Sequence, residues 1–171
     1  DRVLQKTPYT FDASVWEILA PLMAGAQLVV ARHGGQKDAD YLVECIRNHN
    51  ITIVQLVPSQ LDSLLDHPGF AQCATLRRVI CGGEPLSQNL ADRLLSQMKV
   101  NLYNFYGPTE TTIDATHYLC QLGQGNGIVP IGRPVDNVQA FVLDDHQGLV
   151  PIGVTGALYI GGKQLAKGYL N

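Results

Sequence analysis

The stretch Ile51-Thr52-Ile53-Val54-Gln55-Leu56-Val57-Pro58 decides the fold of this chain. Its first six residues are mostly apolar or β-branched, which is typical of a buried strand. Pro58 then opens a helix with leucines at positions 61, 64 and 65, and proline is favoured at the first helical position. The segment therefore predicts a strand that leads directly into a helix, which is part of a βαβ unit.

The same pattern recurs along the first two-thirds of the chain, about every 25 residues. Further strands are predicted at residues 27–31, 78–81 and 100–105, with further helices at residues 15–23, 38–48 and 87–98. Strands and helices that alternate in this way build a parallel sheet covered on both faces. The sequence therefore predicts an α/β fold, a parallel sheet of βαβ units, for residues 1–125.

The composition changes after Cys120. A loop rich in Gly, Gln and Asn follows, and short alternating strands are then predicted at residues 140–143 and 157–160, separated by glycines and Pro151. This pattern is typical of hairpins. Residues 126–171 are therefore predicted to be part of a β-rich subdomain.

Charge and composition exclude two classes of partner. The net charge is −3 and there is no basic cluster, so nucleic acid is not an expected partner. The longest apolar runs are too short to span a bilayer, so no membrane is expected either. The four cysteines, Cys45, Cys73, Cys81 and Cys120, match no zinc spacing. We interpret them as buried free thiols of a cytoplasmic protein.

Three unusual segments follow predicted strands: residues 55–58, Gly82-Gly83-Glu84-Pro85, and Asn104-Phe105-Tyr106-Gly107-Pro108-Thr109-Glu110-Thr111-Thr112. Ligands of open parallel sheets bind at the carboxyl ends of the strands, so these segments are expected to share a cleft. The last one combines a hydroxyl suited to phosphate, a carboxylate suited to a metal ion and a flat ring. An ordinary turn with Thr109 as a helix cap remains open, and Asp12 is either a helix cap or a partner for a ligand's ammonium group.

Taken together, the segments Phe11-Asp12-Ala13-Ser14, 104–110 and 156–170 resemble consecutive signature motifs of the adenylation domains of nonribosomal peptide synthetases. The resemblance covers the whole chain and implies the flavodoxin-like subdomain of an adenylate-forming enzyme. One departure is Ala157, where the family usually has glutamate. The family's phosphate loop with its lysine is expected upstream of Asp1. Its ribose-binding aspartate and a second lysine are expected downstream, so we expect this portion alone to be inactive.

The resemblance implies a reaction in which ATP and an α-amino acid form an aminoacyl adenylate and pyrophosphate. Thr109 would hydrogen-bond the α-phosphate, and Glu110 would be a Mg²⁺ ligand. The implied cofactors are ATP, Mg²⁺ and the phosphopantetheine of a partner carrier protein. Other synthetase domains and the rest of the adenylation domain are further implied partners. Nucleotide-binding residues would be Gly83, Glu84, Pro85, Asn104, Tyr106, Gly107 and Thr109.

The resemblance also implies a set of amino-acid-binding residues: Asp12, Ala13, Trp16, Gln55, Ile80, Gly82, Phe105, Ile113 and Asp114. Asp12 would pair with the α-ammonium group. Gln55 and Asp114 are polar groups in an otherwise apolar pocket, and a side-chain carboxamide would satisfy both. The predicted substrate is therefore L-glutamine. Glutamate is the second choice, because its side-chain carboxylate would face Asp114 and the two like charges would repel each other.

Two other functions remain open at this point. One is an acyl-CoA ligase of the same superfamily, although an acyl substrate would leave Asp12 unpaired. The other is a non-catalytic α/β binding module, which would need neither the phosphate loop nor the missing lysines. The predicted product class is that of peptide antibiotics.

Overall fold

The computed structural model describes residues 1–125 and 127–170. The first and last residues of the predicted β-rich region, 126 and 171, lie outside this part, and the division at residue 125 stays a prediction. The strands are β1 (Arg2–Gln5), β2 (Gln27–Val30), β3 (Ile53–Leu56), β4 (Arg78–Cys81), β5 (Asn101–Tyr106), β6 (Thr116–Leu119), β7 (Arg133–Pro134), β8 (Val138–Leu143) and β9 (Ala157–Gly162). The α-helices are α1 (Ala13–Met23), α2 (Ala39–Asn48), α3 (Pro58–Leu65) and α4 (Gln88–Gln97).

Seven strands form one sheet in the order β2-β1-β3-β4-β5-β6-β7. The pairings from β2 to β5 are all parallel, whereas β6 and β7 are added antiparallel. The predicted α/β class with a parallel sheet is therefore confirmed. The sequence analysis missed β1, which lies between β2 and β3 and is short, and it also missed β6 and β7 at the antiparallel edge.

Two helices, α2 and α4, begin at residues whose side chains cap them. Asp38 accepts a hydrogen bond from the Tyr41 amide at 3.0 Å, and Ser87 accepts one from the Leu90 amide at 3.2 Å. Such caps satisfy amides that have no partner within the helix. Pro58 occupies the first position of α3, as predicted.

The core lies between the helices and the central strands. Its fully buried members come from α2, α3, α4, from β1, β3, β4 and β5 and from the 3₁₀ turn Phe70–Gln72, and include Leu4, Ile46, Val54, Leu56, Leu61, Leu64, Phe70, Val79, Leu94 and Leu102. The four cysteines are free and buried, as predicted. Within the described residues, no helix is long and apolar enough to cross a membrane.

Strands β8 and β9 form a separate two-stranded antiparallel sheet. Its apolar residues stay largely open to solvent, and Phe141, Leu158 and Tyr159 are each about 40% exposed (40%, 39% and 44%). A two-stranded sheet with so little burial is expected to be marginal by itself.

This difference in burial predicts a difference in hydrogen exchange. Amides of β3 and β4, which are internal to the large sheet, should exchange more slowly than those of β8 and β9, because opening them exposes more apolar surface. Hydrogen–deuterium exchange with mass spectrometry on the 171-residue polypeptide measures both. Equal protection of the two sheets would contradict this prediction.

Candidate functional site

A cavity of about 600 Å³ opens at the carboxyl ends of the parallel strands. That volume is within the usual range for small-molecule sites. The cavity is lined by the segments that follow β1, β2, β4 and β5, by β3 and the segment after it, and by the start of α1. Its lining residues are Lys6, Thr7, Pro8, Phe11, Asp12, Ala13, Gln36, Lys37, Gln55, Val57, Gln60, Gly82, Gly83, Glu84, Gly107, Pro108, Thr109, Ile113 and Asp114.

The loop after β5 folds back tightly on itself. A β-carbon at Gly107 would lie 2.4 Å from the Ile113 carbonyl oxygen, so only glycine fits there. The Ala115 amide donates to the Tyr106 carbonyl at 2.7 Å and closes the loop. Thr112 and Ile113 have φ angles of 56° and 74°, which are strained for β-branched residues. This strained turn places Thr109, Ile113 and Asp114 on the same cavity.

The Gly82-Gly83 pair brings bare backbone to the end of β4. A β-carbon at Gly82 would lie 3.1 Å from the Phe105 carbonyl oxygen, and Gly83 has a φ of +84°. The next residue, Glu84, holds the start of α3, because its carboxylate accepts from both the amide and the hydroxyl of Ser59 at 3.0 Å. The turn after β4 is thus fixed to the turn after β3.

Asp12 stands at the residue before α1, but its carboxylate does not cap the helix. Among the side chains of the described residues, its Oδ2 is the one buried polar atom without a hydrogen-bond partner. A buried carboxylate oxygen without a partner is costly, so native proteins rarely keep one without a reason. Asp12 is a lining residue of the cavity, and a cationic group bound beside it would supply the missing partner.

The opposite polar group, Gln55, has its orientation fixed by Trp16. The Trp16 indole Nε1–H donates to Oε1 of Gln55, so the Gln55 NH₂ group is the end left to donate to a ligand. Asp114 lines the same cavity, and burial together with the negative charge of Asp12 raises its pKa to about 7. The cavity therefore brings an oriented amide donor together with the carboxyl groups of Asp12 and Asp114.

A buried carboxylate, Glu17, ties α1 to the end of β1. It is fully buried and accepts from the Lys6 amide at 3.1 Å, the Thr7 amide at 2.9 Å and the Thr7 hydroxyl at 2.7 Å. These bonds fix the cavity wall after β1 to the helix that begins beside Asp12. The sequence analysis assigned no role to Glu17.

Other predicted site residues lie around the cavity without lining it. Trp16, Ile80 and Phe105 are partly buried behind the lining. Ile80 is paired with Gln55 across β3 and β4, and Phe105 packs edge-on against Tyr103 and His117. These apolar side chains form the support of the wall that carries Gln55.

The predicted nucleotide residues divide into two groups. Gly83, Glu84, Gly107 and Thr109 line the cavity, whereas Pro85 and Tyr106 are exposed beside it. Asn104 is buried, and its NH₂ group donates to the Val129 and Pro130 carbonyls at 3.4 and 3.0 Å. Its amide hydrogens are thus engaged by the chain itself.

Glu110 lies on the exposed side of the loop, away from the cavity lining. Its Oε1 accepts from the Tyr169 hydroxyl at 2.7 Å, and this bond lowers the pKa of the Glu110 carboxyl. No group of three or more His, Cys, Asp or Glu side chains within residues 1–125 and 127–170 is arranged to hold a metal ion. The carboxylate keeps a second oxygen, and Mg²⁺ commonly binds through one carboxylate, waters and substrate phosphates, so the site fits that ion.

The segment after β9 is fastened across this loop. The Ala166 amide donates to the Glu110 carbonyl at 2.8 Å, the Thr112 hydroxyl donates to the Gln164 carbonyl at 2.6 Å, and the Gln164 side chain donates to the Asp114 carbonyl at 3.2 Å. The loop is therefore held from both sides.

Sequence reasoning missed the cavity wall next to β1. Lys6 is buried, donates to Oε1 of Gln60 at 3.1 Å, and has its pKa lowered by burial against the opposing effect of Glu17. Gln60 in turn donates to the Gln36 carbonyl at 3.0 Å. The available signal was the short apolar pair Val3-Leu4, which marks a strand with Lys6 just past its carboxyl end.

The Glu17 contacts predict a specific loss of stability. Glu17→Gln keeps the shape but removes charge-assisted hydrogen bonds in a buried position, which should cost about 1–3 kcal/mol of unfolding free energy. Urea denaturation of the 171-residue polypeptide measures it. Glu44→Gln, at an exposed position of α2, is the matched control and should change stability by less than about 0.5 kcal/mol. Equal destabilisation by the two variants would contradict the role of Glu17.

Comparison with known proteins agrees with this geometry. The sequence model of the family described as "AMP-binding enzyme" matches residues 1–170. Tyrocidine synthase 3 of Brevibacillus parabrevis is 48% identical over 99% of this chain, which corresponds to 3% of that protein. Phosphinothricin tripeptide synthetase PhsB of Streptomyces viridochromogenes is 46% identical over 98% of this chain and 14% of its own length. The chain thus spans only a small part of these relatives.

A solved structure supports the same assignment. The structure of a four-domain nonribosomal peptide synthetase bound to AMP and glycine superposes on this chain with a TM-score of 0.88 and 37% sequence identity. The match covers 98% of this chain and 12% of the synthetase chain. The chain therefore belongs to the AMP-binding enzyme family, and within it to the adenylation domains of nonribosomal peptide synthetases.

Proposed function

We propose that this chain forms the amino-acid pocket and part of the ATP site of an adenylation domain that activates L-glutamine. The observation that carries the proposal is the buried, unpartnered Oδ2 of Asp12 on a cavity shared with Gln55 and Asp114. The complete domain would convert glutamine and ATP into glutaminyl-AMP and pyrophosphate.

Asp12 supports an α-amino acid over a fatty or aryl acid. An ammonium group at Oδ2 would give the carboxylate the partner that the chain itself does not supply. A neutral acyl substrate of a CoA ligase would leave the same oxygen buried and unpaired, at a cost of several kcal/mol. The charge of the substrate's amino group is thus what the pocket is built to recognise.

The far end of the pocket supports a carboxamide. The fixed Gln55 amide offers hydrogens and so needs an oxygen, whereas an ionised Asp114 needs a donor. A glutamine side chain supplies both from its two terminal atoms. A leucine or phenylalanine side chain would leave both polar groups unsatisfied, and such mismatches are strongly discriminating.

In the proposed reaction an oxygen of the substrate carboxylate attacks the α-phosphorus of ATP. The bond from that phosphorus to the bridging oxygen breaks, and its electron pair leaves with pyrophosphate. The Thr109 hydroxyl would donate to a non-bridging α-phosphate oxygen. Catalysis of this kind depends on positioning and charge neutralisation.

Glu110 would hold Mg²⁺, which neutralises phosphate charge when bound. The bare backbone at Gly83 would lie against the base, with Tyr106 stacked on it and Glu84, Pro85 and Asn104 nearby. Asn104 would contribute its carbonyl oxygen, because its amide hydrogens bond Val129 and Pro130. The lysines that complete this chemistry in the family are proposed to lie in the rest of the domain.

The aminoacyl group would then pass to the phosphopantetheine thiol of a carrier protein in the cytoplasm. Similarity to tyrocidine synthase 3 and to a four-domain synthetase supports partner domains of that kind. The peptide product would belong to the antibiotic class.

Substrate preference is tested by amino-acid-dependent pyrophosphate exchange on the complete adenylation domain that contains this chain. Glutamine should give the highest kcat/KM of the proteinogenic amino acids at pH 8, with leucine and phenylalanine lower by at least about 100-fold. Preference for either of these two would overturn the proposed pocket.

Removing the charge of Asp12 should weaken the use of the amino acid without affecting the use of ATP. Asp12→Asn should lower kcat/KM for the activated amino acid by about 100-fold or more, because the ammonium group loses a buried ionic partner, while KM for ATP stays within about twofold. Asp145→Asn, in the exposed turn between β8 and β9, is the control and should leave both unchanged. A variant at position 12 with normal amino-acid kinetics would contradict the assigned role.

A further inference from the structure

Two carboxyl groups from different parts of the chain line the same cavity. Asp12 comes from the start of α1 and Asp114 from the loop after β5. The pKa of Asp114 is raised to about 7, first by burial and second by the negative charge of Asp12. The Asp114 carboxyl therefore holds its proton more strongly than an ordinary aspartate does.

Other charged residues around the cavity are already engaged or belong to its rim. Lys6, at the end of β1, donates to Gln60, and Glu84, after β4, accepts from Ser59. Lys37 comes from the short 3₁₀ turn Gly35–Lys37. Asp12 is the charged residue whose field acts on the Asp114 carboxyl.

The orientation of Gln55 determines which terminal atom of the substrate side chain is left to contact Asp114. Oε1 of Gln55 already accepts from the Trp16 indole, which fixes the amide so that its NH₂ group is the end that offers hydrogens to a ligand, and a substrate oxygen would face it. The substrate's other terminal atom is then left for Asp114. In glutamine that atom is an NH₂ group, which requires an acceptor. In glutamate it is a second carboxylate oxygen, which requires a donor.

We propose that the protonation of Asp114 selects the substrate side chain, with the ionised form accepting glutamine and the protonated form accepting glutamate. The inference rests on the proposed function, because it assumes that this cavity binds an α-amino acid. The ionised carboxylate accepts an N–H of the carboxamide. The protonated carboxyl donates its O–H to the substrate carboxylate, so two adjacent negative charges are avoided.

A ratio of two substrates separates the titration of Asp114 from the titration of other groups. The quantity to measure is kcat/KM for glutamine divided by kcat/KM for glutamate, from pyrophosphate exchange on the complete domain between about pH 7 and about pH 9. Titration of the substrate ammonium and of shared catalytic groups affects both substrates and cancels. The ratio should rise about tenfold per pH unit, as expected for linkage to a single proton.

Asp114→Asn is the diagnostic variant. Its carboxamide cannot titrate and can donate to a carboxylate, so the ratio should be shifted towards glutamate and should be independent of pH. A slope that persists in this variant would place the titrating group elsewhere and would overturn the proposal.

Binding calorimetry tests the same proton without turnover or substitution. At about pH 8.5, glutamate binding should take up about one proton more than glutamine binding, measured from the dependence of the binding enthalpy on the ionisation enthalpy of the buffer. Equal proton uptake, or a flat ratio in a domain that prefers glutamine, would overturn this inference and leave the proposed function standing. Activation of neither glutamine nor glutamate would overturn both.

Discussion

Parallel pairing of the central strands determines where everything else in this chain lies. Because β1, β3, β4 and β5 run in the same direction, their carboxyl ends meet at one edge, and the turns that follow them face one another. Those turns carry no shared sequence motif, yet they enclose one cavity. The strands supply buried apolar surface and Gln55, while most other polar groups of the site come from the segments that follow them.

Buried carboxylates play two different roles in this arrangement. Glu17 is fully satisfied by backbone and hydroxyl donors, and it fixes α1 to the end of β1. Asp12, five residues earlier, is left with an unpartnered oxygen. The hydrogen-bonded carboxylate of Glu17 thus fixes α1, and the start of the same helix carries the carboxylate of Asp12, whose Oδ2 has no partner. The bonds of Glu17 stabilise this region, and the free oxygen of Asp12 is left to bind a cation.

The sequence predicted most of the sheet because its strands and helices have strong periodicity and clear caps, as at Asp38, Ser87 and Pro58. It missed β1, whose four residues give too short a pattern, and with it the wall that contains Lys6. It also missed β6 and β7, which form the antiparallel edge of the sheet. Asp12 could be singled out by its place before a helix, but only packing shows that its carboxylate ignores the helix amides. The fixed orientation of Gln55 was likewise beyond sequence reasoning, since Trp16 lies 39 positions away.

The bonds from Gln164, Ala166 and Tyr169 to the loop at residues 110–114 have a consequence for protein engineering. The loop at residues 110–114 and the segment after β9 are joined by hydrogen bonds between residues 50 or more positions apart in the chain. A recombined domain keeps these contacts only if both segments come from the same parent. A crossover between β6 and β9 would combine the loop at residues 110–114 of one parent with the segment after β9 of the other. The stretch of sequence that is exchanged must therefore extend past Tyr169.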